Sequence, residues 1–497
     1  MRLKKIIDSL SDVKKIEGKV SLEVKGIACN SKEVREGYIF IAFQGARFKG
    51  TDFIDEAIDR GACAVILEKG NTSIFRRGCT FIYTGNARHS LSEAAKAFYG
   101  DISSKMRLIG ITGTNGKTTV TYLVESLFNA ISQKTGVIGT INYRFGDRLI
   151  PAFNTTPGVL SLYSLLAEMR KDKVRNCILE VSSHSLDQGR VDTLNFDIAV
   201  FTNLTSEHMD YHKRMKNYLA SKTKLFTKIK TGGHAIINMD DPHADKFIEV
   251  VKKEGKARII TYGIENPADV RPGDIDIKSP LIGRHNVYNI LASASCGIAM
   301  GMSREKIAQA IESIRSLPGR LEKIDCGQDF SVFVDYAHTE NGIENALKAL
   351  KELRPDRLIT VFGCGGDRDR SKRSEIGRVS SELSDKIFIT SDNPRSEEPL
   401  EIIKDIIKGV PARKKNYIIE KDRARAIELA LKDAKSKDIV LVAGKGHETY
   451  QIFKDITIPF DDREVVKRIL SDKNPKSKYY QIPNKSKIPN PKTCLGF

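Results

Sequence analysis

Gly113-Thr-Asn-Gly-Lys-Thr-Thr119 concentrates glycines, hydroxyls and one ammonium in a single turn. An apolar, β-prone run, Leu108 to Ile111, precedes it, and a helical stretch, Lys117 to Ile131, follows. Strand, glycine turn and helix N-terminus make a phosphate cradle: backbone N–H groups point at the anion and the helix dipole favours it. In such a cradle Lys117 reaches the outer phosphates and Thr118 offers an oxygen to Mg²⁺. The general P-loop pattern has its first glycine at position 111, where this chain has Ile, so the motif is a shorter variant. The competing reading is a glycine turn between two buried elements.

The elements that must position this turn repeat along the chain. Residues 1–100 alternate short strands (Gly37 to Phe43, Cys63 to Glu68, Thr80 to Thr84) with helices (Asp52 to Asp59, Ala87 to Tyr99). Residues 101–317 carry short apolar runs, Cys177 to Ser182, Ile198 to Asn203 and Ala235 to Asn238, as expected for strands buried on both faces of a parallel sheet. Ligands of such sheets bind at the carboxyl ends of the strands. Here those ends carry Glu180, Ser182, Ser183, His184, Asn203 and His208. Residues 318–470 repeat the alternation with strands at 332–334, 358–362, 386–390 and 439–443. Their ends, Asp335 to His338, Gly363 to Arg368, Ser391 to Arg395 and Gly444 to Glu448, collect an inventory suited to a zwitterion. Residues 471–497 are rich in Lys and Pro and read as a mobile tail.

The whole is an α/β chain whose 497 residues suit about three domains. The hydrophobic fraction of 40% supports several cores. No run of about 18 apolar residues predicts membrane insertion, and the N-terminus lacks a signal-peptide core, so a cytoplasmic protein is the expectation; a monomer is expected as well. Eight cysteines are scattered without a Cys-x-x-Cys pair and read as reduced thiols. The net charge of +18 is spread among 63 acids and shows no nucleic-acid motif; nucleotides and other small polyanions are the expected partners, not nucleic acid.

Taken in order, Gly113 to Thr119, Glu180-Val-Ser-Ser-His184, Asn203-Leu-Thr-Ser-Glu-His208, Gly283-Arg-His-Asn-Val-Tyr-Asn289 and Asp335-Tyr-Ala-His338 resemble the motifs of the Mur ligases, ATP-dependent amino-acid ligases of peptidoglycan precursor synthesis. Asn154-Thr-Thr-Pro-Gly158, Gly363 to Arg368, Asp392-Asn-Pro-Arg395 and Ala443 to Glu448 resemble the branch that adds a third amino acid to UDP-N-acetylmuramoyl-L-alanyl-D-glutamate. The resemblance implies three domains: a UDP-sugar domain, a central P-loop domain and a Rossmann-like amino-acid domain. It implies ATP as co-substrate, Mg²⁺ as cofactor and an acyl-phosphate intermediate.

The resemblance also distributes roles. Gly113, Thr114, Asn115, Gly116, Lys117, Thr118, Thr119, Asn286, Asn289, Arg320 and Asp335 fall to ATP. Thr118, Glu180, His208 and a carbamylated Lys222 fall to metal, with Lys117, Glu180, His208 and Lys222 as the catalytic set. Read without the family, Lys222 and Lys224 are plain helix-surface cations. Ser31, Ala46, Arg47, Asn154, Thr155, Thr156, Ser182, Gln188 and Arg190 fall to the sugar nucleotide. Arg368, Asp392, Asn393, Pro394, Arg395, Gly444 and Glu448 fall to meso-2,6-diaminopimelate, with Glu448 facing an ammonium. The distal carboxylate of that amino acid needs a cation, which Arg395 supplies.

The chain departs from the pattern at Asn30-Ser31-Lys32, Lys49-Gly50 and Thr339-Glu340, and the region from Tyr262 to Gly283 is short. Alternatives stay open: a lysine-adding relative, a folylpolyglutamate-type ligase on another acid, an inactive sugar-nucleotide sensor, or a nucleic-acid-dependent NTPase.

Overall fold

The computed structural model describes residues 1–45, 48–68, 78–414, 416–454 and 456–472. The Ala46–Arg47 turn and the segment from 473 onward lie outside the described residues, and the last described helix, Asp462–Asp472, runs into the start of the expected tail. Among the described residues no helix is long and apolar enough to cross a membrane.

The strand Arg107–Thr112 lies inside the central sheet because both of its faces are apolar: Leu108, Ile109 and Ile111 are buried, as are the neighbouring strands Asn176–Glu180 and Phe196–Phe201. Ile229–Asn238 and Arg258–Tyr262 extend the sheet beyond Phe196–Phe201, and Thr135–Ile138 extends it on the other side, all in parallel. Two strands not foreseen from the sequence, Asn142–Phe145 and Arg148–Pro151, add an antiparallel edge. The register sets Glu180 opposite Ile111 and Phe201 opposite Thr112. Glu180, Gly113 and Thr202 therefore leave the sheet at one level.

One face of this sheet packs against Lys117–Ala130, Arg284–Ala299 and Arg304–Glu312 through Leu123, Leu127, Leu291 and Ile307. The other face shares a continuous core with the N-terminal unit, where Leu3, Ile6, Leu91 and Ala95 join Leu162, Leu166 and Met169. The N-terminal sheet orders its strands Val13–Glu17, Thr80–Thr84, Ala62–Glu68, Tyr38–Ala42 and Gly26–Ala28, with only the first pair antiparallel.

The third sheet orders Glu322–Ile324, Ser331–Asp335, Ile439–Ala443, Leu358–Phe362, Lys386–Ile389 and Tyr417–Ile419, parallel except at its first pair. Two buried arginines brace its carboxyl edge. Arg423 donates to the carbonyls of Ser391 (3.3 Å) and Ala443 (2.9 Å), one just beyond and one at the end of their strands, and pairs with Asp462 at 2.7 Å; both partners are 0% exposed. Arg373 donates to Glu397 at 2.8 and 3.0 Å, to Asp405 at 3.1 Å and to the Gly365 carbonyl at 3.3 Å. Glu397 in turn accepts from Asp367 N at 2.7 Å, so the loop after Phe362 is tied to the loop after Ile389.

Removing one partner of a fully buried ion pair leaves an uncompensated charge. Asp462→Ala is expected to cost about 3–5 kcal/mol in urea unfolding, and Arg423→Met with Asp462→Leu to recover most of it. A single-mutant cost under about 1 kcal/mol, the surface-pair range, would contradict this. Hydrogen bonds from Arg373 hold the Glu397 carboxyl at about 2, against an ordinary 4.5. A depressed folded-state pKa gives stability that is full above pH 4.5 and lost as the pH falls through about 2. The stability gap between the wild type and Glu397→Gln should therefore be widest near neutrality and close in acid; a gap indifferent to pH would refute the pairing.

Candidate active site

The P-loop turn is shaped by contacts a side chain would destroy. Gly116, which caps Lys117–Ala130, sits at φ +85°, and a Cβ there would meet Asn289 Oδ1 at 2.4 Å. A Cβ on Gly113 would meet Thr202 Oγ1 at 1.8 Å. Asn203 braces the turn from the neighbouring strand: its carbonyl accepts from Thr114 N (2.8 Å) and its Oδ1 from Asn115 N (2.9 Å). The Lys117 ammonium folds over the turn, donating to the carbonyls of Gly113 (2.9 Å) and Thr114 (2.7 Å). Burial lowers its pKa, against the pull of Glu207 and Glu180.

Glu180 lies beneath this turn, 1% exposed. Its Oε2 accepts from Thr118 Oγ1 (3.0 Å) and Thr140 Oγ1 (2.8 Å), and its Oε1 from Thr140 N (3.1 Å). Thr140 Oγ1 lies 3.1 Å from Thr155 Oγ1. Mg²⁺ takes oxygen ligands, commonly one or two from protein with the remainder from phosphate and water. Thr118 Oγ1 and Glu180 Oε2, adjacent at a phosphate cradle, suit that chemistry. Among the described residues no cluster of three His, Cys, Asp or Glu forms an all-protein cage.

A second set of groups flanks the turn. His208, at φ +58°, stacks edge-on against His184 (4.7 Å between centroids) and lies 3.7 Å from Glu207. Burial lowers its pKa to about 4, so the ring is neutral at ordinary pH. Glu207 is held below the usual carboxylate range: burial raises it, but His208, Lys117 and His338 outweigh burial. Lys222 corrects the surface reading of its helix. It is 1% exposed and donates to the Gly113 carbonyl at 2.7 Å, while Lys224 is exposed and lies 3.6 Å from Asp187. Burial, reinforced by the Lys117 ammonium, pushes the Lys222 pKa far down.

The carboxyl edge of the third sheet faces this turn across a cleft of about 350 Å³. Asn115, Lys117, Thr118, Thr155, Ser182 and His208 line one wall. Arg320, Arg368, Asp392, Asn393, Arg395, Gly444 and Glu448 line the other. Hydrogen bonds span the two: Asn115 Nδ2 to Asn341 Oδ1 (3.1 Å), Arg320 Nη2 to Thr118 Oγ1 (3.3 Å) and Lys372 Nζ to the Ser206 carbonyl (3.4 Å). Arg395, at φ +54°, is held by its N–H on the Ile452 carbonyl (3.0 Å) and its Nη1 on the Gly366 carbonyl (2.6 Å). The Pro394 carbonyl lies where a Cβ of Gly366 would be.

Other expected site residues stand back from the cleft. Asp335 accepts from Leu321 N (2.6 Å) and Ala337 N (2.7 Å), so it ties the residue after Arg320 to its own strand end, and it does not line the cleft. Asn286 and Asn289 are buried behind the P-loop, joined at 3.0 Å. Thr156 Oγ1 donates to the Glu180 carbonyl (2.8 Å) and accepts from Ser182 N (3.1 Å). Arg190 donates to the Thr156 carbonyl (2.6 Å) and to Gln188 Oε1 (2.7 Å), while the Asn154 carbonyl accepts from Tyr143 OH (2.6 Å). Ser31 Oγ donates to Glu56 (2.7 Å) in the N-terminal unit, outside this cleft. Ala46 and Arg47 lie outside the described residues.

Sequence reasoning passed over Thr140, Glu207, Asn341 and Lys445. Thr140 follows an apolar run, Thr135 to Ile138, that ends like the recognised strands. Lys445 sits inside the quoted Gly444 to Glu448 stretch; it is 0% exposed and donates to Glu448 at 2.9 Å. Lys445 thus meets one oxygen of Glu448 from within the chain.

The same segments match known families. Residues 23–99 match the Mur ligase family catalytic domain, 111–297 the Mur ligase middle domain, and 319–446 the Mur ligase glutamate ligase domain. The UDP-N-acetylmuramoyl-L-alanyl-D-glutamate--2,6-diaminopimelate ligase of Solibacter usitatus is 42% identical over 470 residues, 90% of this chain and 94% of that relative. A solved ligase of the same description aligns at TM-score 0.67 and 30% identity, over 95% of this chain and 99% of that one. The fold recurs in a MurF ligase from Thermotoga maritima solved with ADP, at TM-score 0.60 and 19% identity over 90% of this chain and 99% of that one. With its three segments matched in succession and 42% identity over 90% of its length to one such ligase, the chain belongs to the Mur ligase family.

Proposed function

We propose that this chain is an ATP-dependent ligase that joins meso-2,6-diaminopimelate to UDP-N-acetylmuramoyl-L-alanyl-D-glutamate through an acyl phosphate, in peptidoglycan precursor synthesis. The observation that carries the reading is the cleft itself: a phosphate cradle on one wall and Arg368, Asp392, Asn393, Arg395 and Glu448 on the other. Relatives at 42% and 40% identity bear the same activity in their names. The reading carries with it a cytoplasmic, monomeric enzyme whose partners are small molecules.

A carboxylate is a poor electrophile, so ATP first converts it to an acyl phosphate, which the amine then attacks. Most of that task is charge neutralisation and alignment. Lys117 and the N–H groups that open its helix hold the β- and γ-phosphates. Arg320, already on Thr118 from the opposite wall, brings a second cation to the same phosphates. Thr118 and Glu180 would hold Mg²⁺, with His208 and carbamylated Lys222 at a second ion; bound there, Mg²⁺ offsets charge repulsion between phosphate and carboxylate. Carbamylation needs a neutral amine, and the burial of Lys222 favours that form. On the far wall Arg395 and Arg368 take the distal carboxylate, and Asp392 and Glu448 the distal ammonium. Thr155 and Ser182, which line the cleft, take the sugar-nucleotide peptide. Closing the two walls excludes water from the acyl phosphate.

The test is phosphate release from ATP and Mg²⁺ with the UDP-muramoyl dipeptide, in parallel with meso-diaminopimelate, with L-lysine and with no amino acid. Release with diaminopimelate alone is expected, with a product heavier by that residue. Equal release with lysine would overturn the assignment of the far wall, and none in any tube would overturn the ligase reading.

A further inference from the structure

Behind the far wall, out of the cleft, lies a buried ammonium. Lys445 is 0% exposed and is absent from the cleft lining. Its Nζ donates to Glu448 Oε2 at 2.9 Å and to Asn393 Oδ1 at 3.2 Å, and lies 5.6 Å from the centre of the Tyr450 ring. Asn393 closes the triangle: Nδ2 donates to the same Glu448 oxygen at 2.9 Å, while Oδ1 also accepts from Ile452 N at 3.0 Å.

This arrangement has two consequences for a ligand. An ammonium removed from water is costly unless a counter-charge meets it, and Glu448 is that counter-charge. Two internal donors converge on Oε2, which locks the Glu448 carboxylate in place and leaves Oε1 for an ammonium of the ligand. The Asn393 amide is also fixed in sense, because its oxygen faces two donors. Its Nδ2 has a second hydrogen to offer a carboxylate.

We propose that Lys445 is a positioning residue for the zwitterionic head group of the incoming amino acid: it acts through Glu448, without touching the ligand. The proposal rests on the diaminopimelate reading above. An ion pair that served the fold alone would affect stability and leave substrate affinity unchanged.

The experiment is a kinetic cycle in the full chain, comparing wild type, Lys445→Met, Glu448→Gln and the double variant. The KM for meso-diaminopimelate is read beside the KM values for ATP and the UDP-muramoyl dipeptide. Lys445→Met is expected to raise the diaminopimelate KM by roughly tenfold or more, with the other two KM values within about twofold. Because Lys445 acts through Glu448, the double variant should be no worse than Glu448→Gln alone. If Lys445→Met does not fold, the double variant leaves no unpaired buried charge and the same comparison with Glu448→Gln decides. A diaminopimelate KM unchanged in Lys445→Met, or a full multiplicative loss in the double variant, would overturn the proposal. Failure of the wild type to turn over diaminopimelate would instead overturn the functional reading and, with it, the premise for Lys445.

Discussion

Strands that run parallel in register end together, and the rest of this molecule follows from that constraint. Glu180 lies level with Ile111, and Phe201 with Thr112. The P-loop, the buried carboxylate beneath it and the Asn203 brace therefore emerge as one polar layer above an apolar sheet. The third sheet obeys the same rule, delivering the loops after Phe362, Ile389 and Ala443 to its own carboxyl edge. Setting the two edges against each other makes a cleft in which a nucleotide and an amino acid can meet.

Charge burial separates structural from chemical groups along these edges. Arg423 and Arg373 are buried with carboxylates and carbonyls around them, so their charges are countered and they serve as braces, although Arg373 Nε has no hydrogen-bond partner. Lys222 is buried against a carbonyl, with a second ammonium nearby, and its pKa falls. A lysine driven toward neutrality is a nucleophile, whereas an arginine in the same position would remain a cation. Glu207 marks the opposite case: burial disfavours its charge, yet its basic neighbours, the Lys117 ammonium among them, favour the charged form.

Much of this was legible in the sequence because buried parallel strands are short, apolar and followed by polar residues. Leu358–Phe362 and Ile439–Ala443 coincide with the expected runs, and Arg368, Gly444 and Glu448, which follow them, line one cleft. What escaped were features set by tertiary context. Tyr450–Phe453 and Ile456–Pro459 form a hairpin whose short, half-exposed strands show little pattern. Lys222 and Lys445 look like surface lysines, since a sequence states a charge but not its burial. Asp335 ends an apolar strand as a ligand residue would, yet its Oδ2 accepts from Leu321 N beside Arg320 and its Oδ1 from Ala337 N in the turn after its own strand.

On the proposed reading, the cleft couples phosphoryl transfer to amide formation at one carboxylate. That coupling is tested most directly by labelling both oxygens of the dipeptide's reacting carboxylate with ¹⁸O and following the label during turnover. Activation as an acyl phosphate sends one labelled oxygen into inorganic phosphate for each amide formed. Phosphate free of label, with amide still accumulating, would contradict the account.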